Sequence, residues 1–224
     1  MAQTYLVTGA SRGLGAEFVG QLRARGHTVI AAVRDPKTAG EAARAGARVV
    51  ALDVSRPESF EAFAASLRGP IDVLLNNAGV ATGDGLLAKT STETYDSVYR
   101  TNVVGPALLT RALIPNLKSG SRKMIVNVSS QLGSIADAHQ GFSYAYCVSK
   151  AALNMLSRQM HLELSRDGFT CIALDPGWNR TDMGGKDATL DPKESVASMV
   201  GCLERWGPGD SGKFLRYDGV EERW

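Results

Sequence analysis

A chain of 224 residues is long enough for one α/β domain with a sizeable core and short for two. Apolar residues make up 44% and charged residues 21%, which excludes wholesale disorder, and a net charge of +2 is too small to point to a nucleic-acid partner. Cys147, Cys171 and Cys202 stand far apart without CxxC or His-rich spacing, so neither a disulfide framework nor a metal site is expected.

In chain order, Tyr5–Thr8 reads as a strand ending at Gly9, and a helix follows over about Leu14–Arg25, with Phe18, Val19 and Leu22 on one face and Gly26 as its stop. Thr28–Val33 is a β-branched strand, and Asp35-Pro36 opens the next helix. Arg48–Leu52 is predicted as strand, Pro57–Leu67 as helix and Ile71–Leu75 as strand. Ser91–Arg100 and Pro106–Leu117 are predicted helices, Lys123–Val128 a strand, Ala145–Arg166 a long helix and Thr170–Leu174 a strand. Gly184–Asp191 is the loosest stretch, before a helix over Pro192–Trp206 and a last strand near Lys213–Arg216. The strands are continuously apolar, and they alternate with helices. That pattern predicts an α/β fold: a doubly wound parallel sheet of about seven strands with helices on both faces. Ligands of such sheets bind outside the carboxyl ends of the strands. The first residues lack the basic start and apolar stretch of a signal peptide, and no apolar run nears the roughly 18 residues of a membrane helix. A cytoplasmic protein with reduced thiols and no membrane partner is expected.

Gly9-Ala10-Ser11-Arg12-Gly13-Leu14-Gly15 joins the first strand to the first helix. Glycines there permit a tight turn and close approach of a pyrophosphate, which a helix N-terminus favours electrostatically. Alone the loop is a weak signal, since a glycine-rich turn can exist without a ligand. An NAD-binding site usually has an acid at the end of the second strand. Val33 and Arg34 stand there instead, and Arg12 adds a second cation, so the pattern suits a 2′-phosphate and prefers NADP, with NAD as the alternative. Asp35 sits two places late and reads as a helix N-cap.

Tyr146-Cys147-Val148-Ser149-Lys150 places a phenol and an ammonium four residues apart, on one helix face. Chance alone supplies roughly 0.3–0.5 such matches in a chain this long. The chemistry is apt nonetheless: a nearby cation lowers a phenol's pKa from about 10, so that Tyr146 can exchange a proton with a carbonyl or alcohol.

Taken together, the glycine loop, Asn76-Asn77-Ala78-Gly79, Asn102-Val103-Val104-Gly105, Ser129-Ser130-Gln131-Leu132-Gly133, the Tyr146/Lys150 pair and Pro176-Gly177-Trp178 with Thr181 occur in one order over residues 4–183. The series resembles the short-chain dehydrogenase/reductase family, and looks closest to its branch of sniffer-type carbonyl reductases and C-factor. The resemblance implies one Rossmann-type NAD(P)-binding domain over residues 1–224, with the substrate site at the strand ends and about 178–195. It implies that Asp53-Val54 lies against adenine, that the Asn76 and Asn77 amides bridge neighbouring strand ends, and that Ala78 and Gly79 leave room for the cofactor ribose. Ser130, followed by its x-x-Gly turn, polarises the reacting oxygen, and Ser129 bonds locally. Asn102 sits at a local break in a helix and anchors a water beside Lys150, which also contacts the ribose. Pro176, Gly177 and Thr181 lie at the nicotinamide end. The implied function is an NADPH-dependent carbonyl reductase acting on a small carbonyl or alcohol. The alternatives are a dinucleotide-binding signalling or regulatory protein and an NAD-dependent alcohol dehydrogenase. A homodimer or tetramer through Asn102–Leu117 and Tyr146–Arg166 is a further family expectation.

Tyr146 lies 16 positions after Ser130, a long interval that reshapes the pocket entrance through Gly133–Ser143. Tyr144 is a decoy, because Val148 stands where its lysine would be. The segment after Thr181 is short, which predicts an open site, with Trp178 either a substrate wall or a packing residue.

Overall fold

The computed structural model describes residues 1–82 and 85–224. Seven strands form one parallel sheet: β1 Thr4–Thr8, β2 Thr28–Val33, β3 Arg48–Ala51, β4 Val73–Asn76, β5 Met124–Val128, β6 Thr170–Asp175 and β7 Phe214–Arg216, in the spatial order β3-β2-β1-β4-β5-β6-β7. The sheet is the α/β architecture the sequence predicts. β1, β4, β5 and β6 are buried almost throughout, whereas β3 at the edge is half-covered, because α2 beside it is a helix of one turn.

Helices α1 Gly13–Ala24 and α7 Pro192–Arg205 cover one face, where Phe18, Val19 and Leu22 meet Val196, Met199 and Leu203. On the other face lie α3 Phe60–Ser66, α5 Gly105–Lys118 and α6 Tyr144–Leu164, bringing Phe60, Phe63, Leu109, Leu113 and Leu117 onto Leu6, Leu74 and Ile125. Each such side chain, fully buried, contributes about 1.5–3 kcal/mol. α2 is Gly40–Arg44, and α4 Thr92–Tyr99 starts at Ser91, whose hydroxyl accepts the Thr94 amide at 3.2 Å.

Some boundaries differ from the sequence reading. Pro36–Thr38 and Pro57–Ser59 are 3₁₀ turns that precede short α-helices, because proline supplies no N–H and the tighter turn demands none there. β4 starts at Val73 because Asp72 is a clamp: its carboxylate accepts the amides of Thr4 at 2.8 Å and Ser121 at 2.6 Å. Gly184–Asp191 is tied rather than loose. Leu190 exchanges hydrogen bonds with Trp178 and Arg180, both 3.0 Å, and Arg180 donates to Thr189 O at 3.0 Å. Among the described residues, no helix is long and apolar enough to cross a membrane.

Candidate active site

A cleft of about 730 Å³ runs along the carboxyl ends of the strands, from the β2 end to α6. At its centre lies the glycine loop. A Cβ on Gly15 would stand 2.2 Å from Gly9 O, and one on Gly9 would stand 2.8 Å from Ala78 Cα, so backbone packs where side chains would go. Gly13 has φ +55°, and its nearest neighbour is the Thr181 side chain, which brings the loop and the β6 turn to opposite sides of one gap. The first turn of α1 has no side-chain cap and no acid, leaving its amides directed at the cleft beside Ser11 and Leu14. That cradle fits a pyrophosphate.

Val33, Arg34, Thr38 and Arg44 line one end of the cleft. Arg44 escaped sequence reading because no motif marks it; α2 brings it to the cleft together with Glu41. Asp35 does not line the cleft. It caps its own turn, accepting the Lys37 amide at 3.0 Å. Arg12 lines the same cleft, and its guanidinium pairs with Asp182 at 3.0 Å, both side chains exposed. Arg34 and Arg44 thus make the cationic end, and they fit a phosphate on a ribose.

Asp53 and Val54 line the same end. Asp53 accepts the Ser55 amide at 2.9 Å and hydroxyl at 2.7 Å. Burial pushes its pKa up, but those two bonds with the charges of Arg34 and Arg56 outweigh it, and the carboxyl ends below its usual range. Gly105, at the foot of α5, lets this segment approach, since a Cβ there would stand 2.5 Å from Val54 O. Asn77, Ala78 and Gly79 form the next stretch of wall. Asn77 Nδ2 donates to Thr8 O at 2.8 Å, and the Thr8 hydroxyl accepts the Asn77 and Ala78 amides, both at 3.0 Å, binding the β4 end to the β1 end. Asn76 turns inward instead, to Asn127 Oδ1 at 2.8 Å and Thr110 at 3.2 Å.

Tyr146 and Lys150 sit one turn apart on α6 and both line the cleft. Lys150 is buried, donates to Val128 O at 2.8 Å, and lies 5.5 Å from the Tyr146 ring centroid. Burial pulls its pKa down to about 8, against a smaller upward pull from Asp175. Burial pushes the Tyr146 phenol up to about 12; the Ser130 hydroxyl, hydrogen-bonded to it, opposes this, and Asp175 adds to it. The lowering expected from Lys150 does not appear: the Ser130 bond is what opposes burial. The two serines divide as follows. Ser129 lines the cleft, is buried and donates to Asn154 Oδ1 at 2.6 Å, while Ser130 is not among the lining residues but faces Tyr146 and accepts the Leu132 amide at 3.2 Å. Gly133 closes that turn against α6, where a Cβ would stand 2.7 Å from the Lys150 carbonyl carbon. Tyr144 is not among the residues lining the cleft.

Asn102 occupies a π-helical turn, Arg100–Val104, between α4 and α5, the break in regular helix that the family pattern implies. It is buried behind the cleft wall: Oδ1 accepts the Val80 amide at 2.9 Å, and Nδ2 donates to Val80 O at 2.9 Å and Ser149 Oγ at 3.0 Å. Its amide thus clamps the Gly79–Val80 wall to α6. Pro176 and Thr181 line the cleft, whereas Gly177, at φ +71°, lies beneath Leu190 and Tyr217. Trp178 is 54% exposed and donates to Gly184 O at 2.8 Å; it lies outside the cleft, and Met183 with Pro192 lines it instead.

Residues 3–190 match the model of the short chain dehydrogenase family. The chain is 42% identical over 169 residues to the C-signal of Myxococcus xanthus, covering 74% of this chain and 100% of that one. The NADPH-bound carbonyl reductase from chicken fatty liver superposes with a TM-score of 0.93 at 35% identity, covering 100% of this chain and 99% of that one. The carbonyl reductase Sniffer of D. melanogaster does so with a TM-score of 0.94 at 29% identity, covering 100% of both. With this fold and this match over most of its length, the chain belongs to the short-chain dehydrogenase family and is an oxidoreductase.

Proposed function

We propose that this protein is an NADPH-dependent carbonyl reductase that reduces a ketone or aldehyde, with Tyr146 as the general acid. The observation that carries the reading is one continuous cleft that joins the Arg34/Arg44 end, the glycine loop and the Tyr146/Lys150 pair. The similarity to a carbonyl reductase with NADPH bound supports the choice of cofactor. When bound, the cofactor supplies the hydride. Arg34 and Arg44 hold its 2′-phosphate, the α1 N-terminus its pyrophosphate, and Asp53, Val54, Asn77, Ala78, Gly79, Pro176 and Thr181 the faces between.

The chain's own chemistry follows from the site. The Ser130 hydroxyl and the Tyr146 phenol hydrogen-bond the substrate oxygen. The phenol keeps its proton far into the alkaline range, so it is the acid form that meets the substrate at neutral pH. As the proton leaves, negative charge develops on the phenol oxygen. Lys150, still an ammonium at neutral pH, is the buried cation that stabilises it.

The test is loss of NADPH absorbance with a panel of ketones, aldehydes and quinones. Tyr146→Phe lowers kcat by about 10²–10⁴-fold, the usual span for a general acid; turnover equal to the unaltered protein overturns the assignment. Arg34→Ala weakens NADPH binding by about tenfold or more in a titration and leaves NADH binding in place; equal NADPH affinity removes the cofactor argument. The relative named C-signal motivates a second reading, a dinucleotide-binding signalling protein. Tight NADPH binding without turnover on the whole panel selects it.

A further inference from the structure

The turn after β5 carries Ser130, and the turn after β6 carries Pro176 and Gly177. Between them, at the last position of β6, stands Asp175, which is 4% exposed. Its Oδ1 accepts the Gln131 amide at 3.0 Å, one residue from Ser130, and the Gly177 amide also donates to this carboxylate. One buried side chain thus holds both turns that flank Tyr146. Burial pushes this carboxyl above its usual range, and the Gln131 and Gly177 amides, then Arg216 and Lys150, pull it back toward the charged form. A neutral acceptor would satisfy the two amides, so the cations are what favour a buried charge there.

The charged and titratable groups acting on or from Asp175 are few. On β7, its register partner Arg216 is engaged by Asp218 through two contacts, 2.6 and 2.9 Å. From the last residues of the chain comes Glu222, whose Oε2 is buried with no partner and which Asp175 repels. From α6 come Tyr146 and Lys150. Lys150 Nζ is held 2.8 Å from Val128 O, and Val128 is the register partner of Leu174, the residue before Asp175. Lys150 makes no ion pair within 4.0 Å among the described residues, and Asp175 is the carboxylate that acts on it.

We propose that Asp175 is a positioning residue of the reaction: it clamps the Ser130 turn to the Gly177 turn and is the buried counter-charge of Lys150. The proposal rests on the carbonyl-reductase reading for its catalytic consequence, while its electrostatic half can be measured without turnover. In Asp175→Asn the amide oxygen can still accept both backbone N–H groups, but the charge is gone. In Asp175→Glu the charge remains and is displaced from the two amides.

Limiting acetic anhydride, with modification of Lys150 and of exposed Lys37 read by peptide mass spectrometry, reports the free-amine fraction of each lysine. In Asp175→Asn, acetylation of Lys150 relative to Lys37 rises about fivefold at pH 7, as expected when a favourable neighbouring charge is lost, and equals that of the unaltered protein at pH 10. No rise at pH 7, or the same rise at both pH values as an opened cleft would give, overturns the counter-charge role. Asp175→Glu acetylates at Lys150 like the unaltered protein yet loses about tenfold in kcat with little change in KM. An unchanged kcat in that variant overturns the clamp, and it tests the clamp even where Asp175→Asn does not fold. Should the unaltered protein reduce no carbonyl while Lys150 still responds at pH 7 alone, the carbonyl-reductase reading falls and the pairing of Asp175 with Lys150 stands.

Discussion

At the scale of single residues, burial decides more than proximity. Tyr146 and Lys150 are one helical turn apart, which the spacing in the sequence requires. Spacing says nothing of solvent, however, and desolvation moves both groups toward neutrality: the phenol up to about 12 and the ammonium down to about 8. Two buried groups that both resist charge predict a definite pH profile. As pH rises through about 8, Lys150 loses its proton while Tyr146 keeps its own, so the acid remains but the cation that stabilises its conjugate base is lost. Measured kcat/KM for carbonyl reduction accordingly falls above pH ~8; a flat profile up to pH 10 contradicts the role given to Lys150. Residue choice within a motif was legible where chemistry distinguished the candidates. Val148 disqualifies Tyr144 in the sequence itself. The resemblance already chose Ser130 over Ser129; the coordinates supply the physical difference, since the packing of α6 brings Asn154 to one and Tyr146 to the other.

At the scale of elements, close approach of backbones explains the glycine spacing. α5 can reach the β3–α3 connection because residue 105 has no Cβ. Gly105→Ala therefore destabilises the protein by about 1–3 kcal/mol, the usual cost of overpacking. Gly20 is the matched control: it lies inside α1, and a Cβ there would meet nothing within 4 Å. Gly20→Ala stabilises by about 0.5–1 kcal/mol through helix propensity and a less flexible unfolded chain. Urea melts of the two variants give opposite signs if these contacts hold the fold. Strands and long helices were legible because their apolar runs have the right length and period. The 3₁₀ turns at Pro36 and Pro57 were not, because the same proline suits the first turn of either helix type. The π turn at Asn102 has no sequence period of its own; the resemblance implied a break there, and backbone geometry identifies its kind.

At the scale of the whole molecule, the last residues fasten the sheet edge to the active-site side. Trp224 stacks on Phe214 with centroids 5.6 Å apart, its carbonyl accepts the Ala136 amide at 3.0 Å, and Arg223 pairs with Asp137. Ala136 and Asp137 belong to the long connection between Ser130 and Tyr146, so a segment read as an entrance to the pocket is held by the end of the chain. Glu222 is the titratable part of this fastening. Burial, then repulsion from Asp175, pushes its pKa from the usual 4.5 up to about 7. The folded protein thus holds a proton that the unfolded chain has released. The resulting stabilisation is full below about 4.5 and is lost as pH rises through about 7. Melting temperature should therefore decline over that window, and Glu222→Gln, which carries no titrating proton, should flatten the decline. Melts at pH 5 and pH 7.5 that differ equally in both proteins contradict this.

By itself the sequence determined the alternation of strand and helix, the parallel sheet, and the order of residues suited to a dinucleotide and a hydroxyl–carbonyl exchange. Local spacing and apolar period depend only on neighbours along the chain, so they can be read directly. The tertiary structure alone decided which way each polar side chain turned: Arg12 to Asp182, Arg44 to the cleft, Trp178 away from it, and Asp175 to the Gln131 amide. Arg12 and Asp182 stand 170 positions apart, and Gln131 and Asp175 stand 44 apart. Burial and Coulomb energy, which act through space, chose among them.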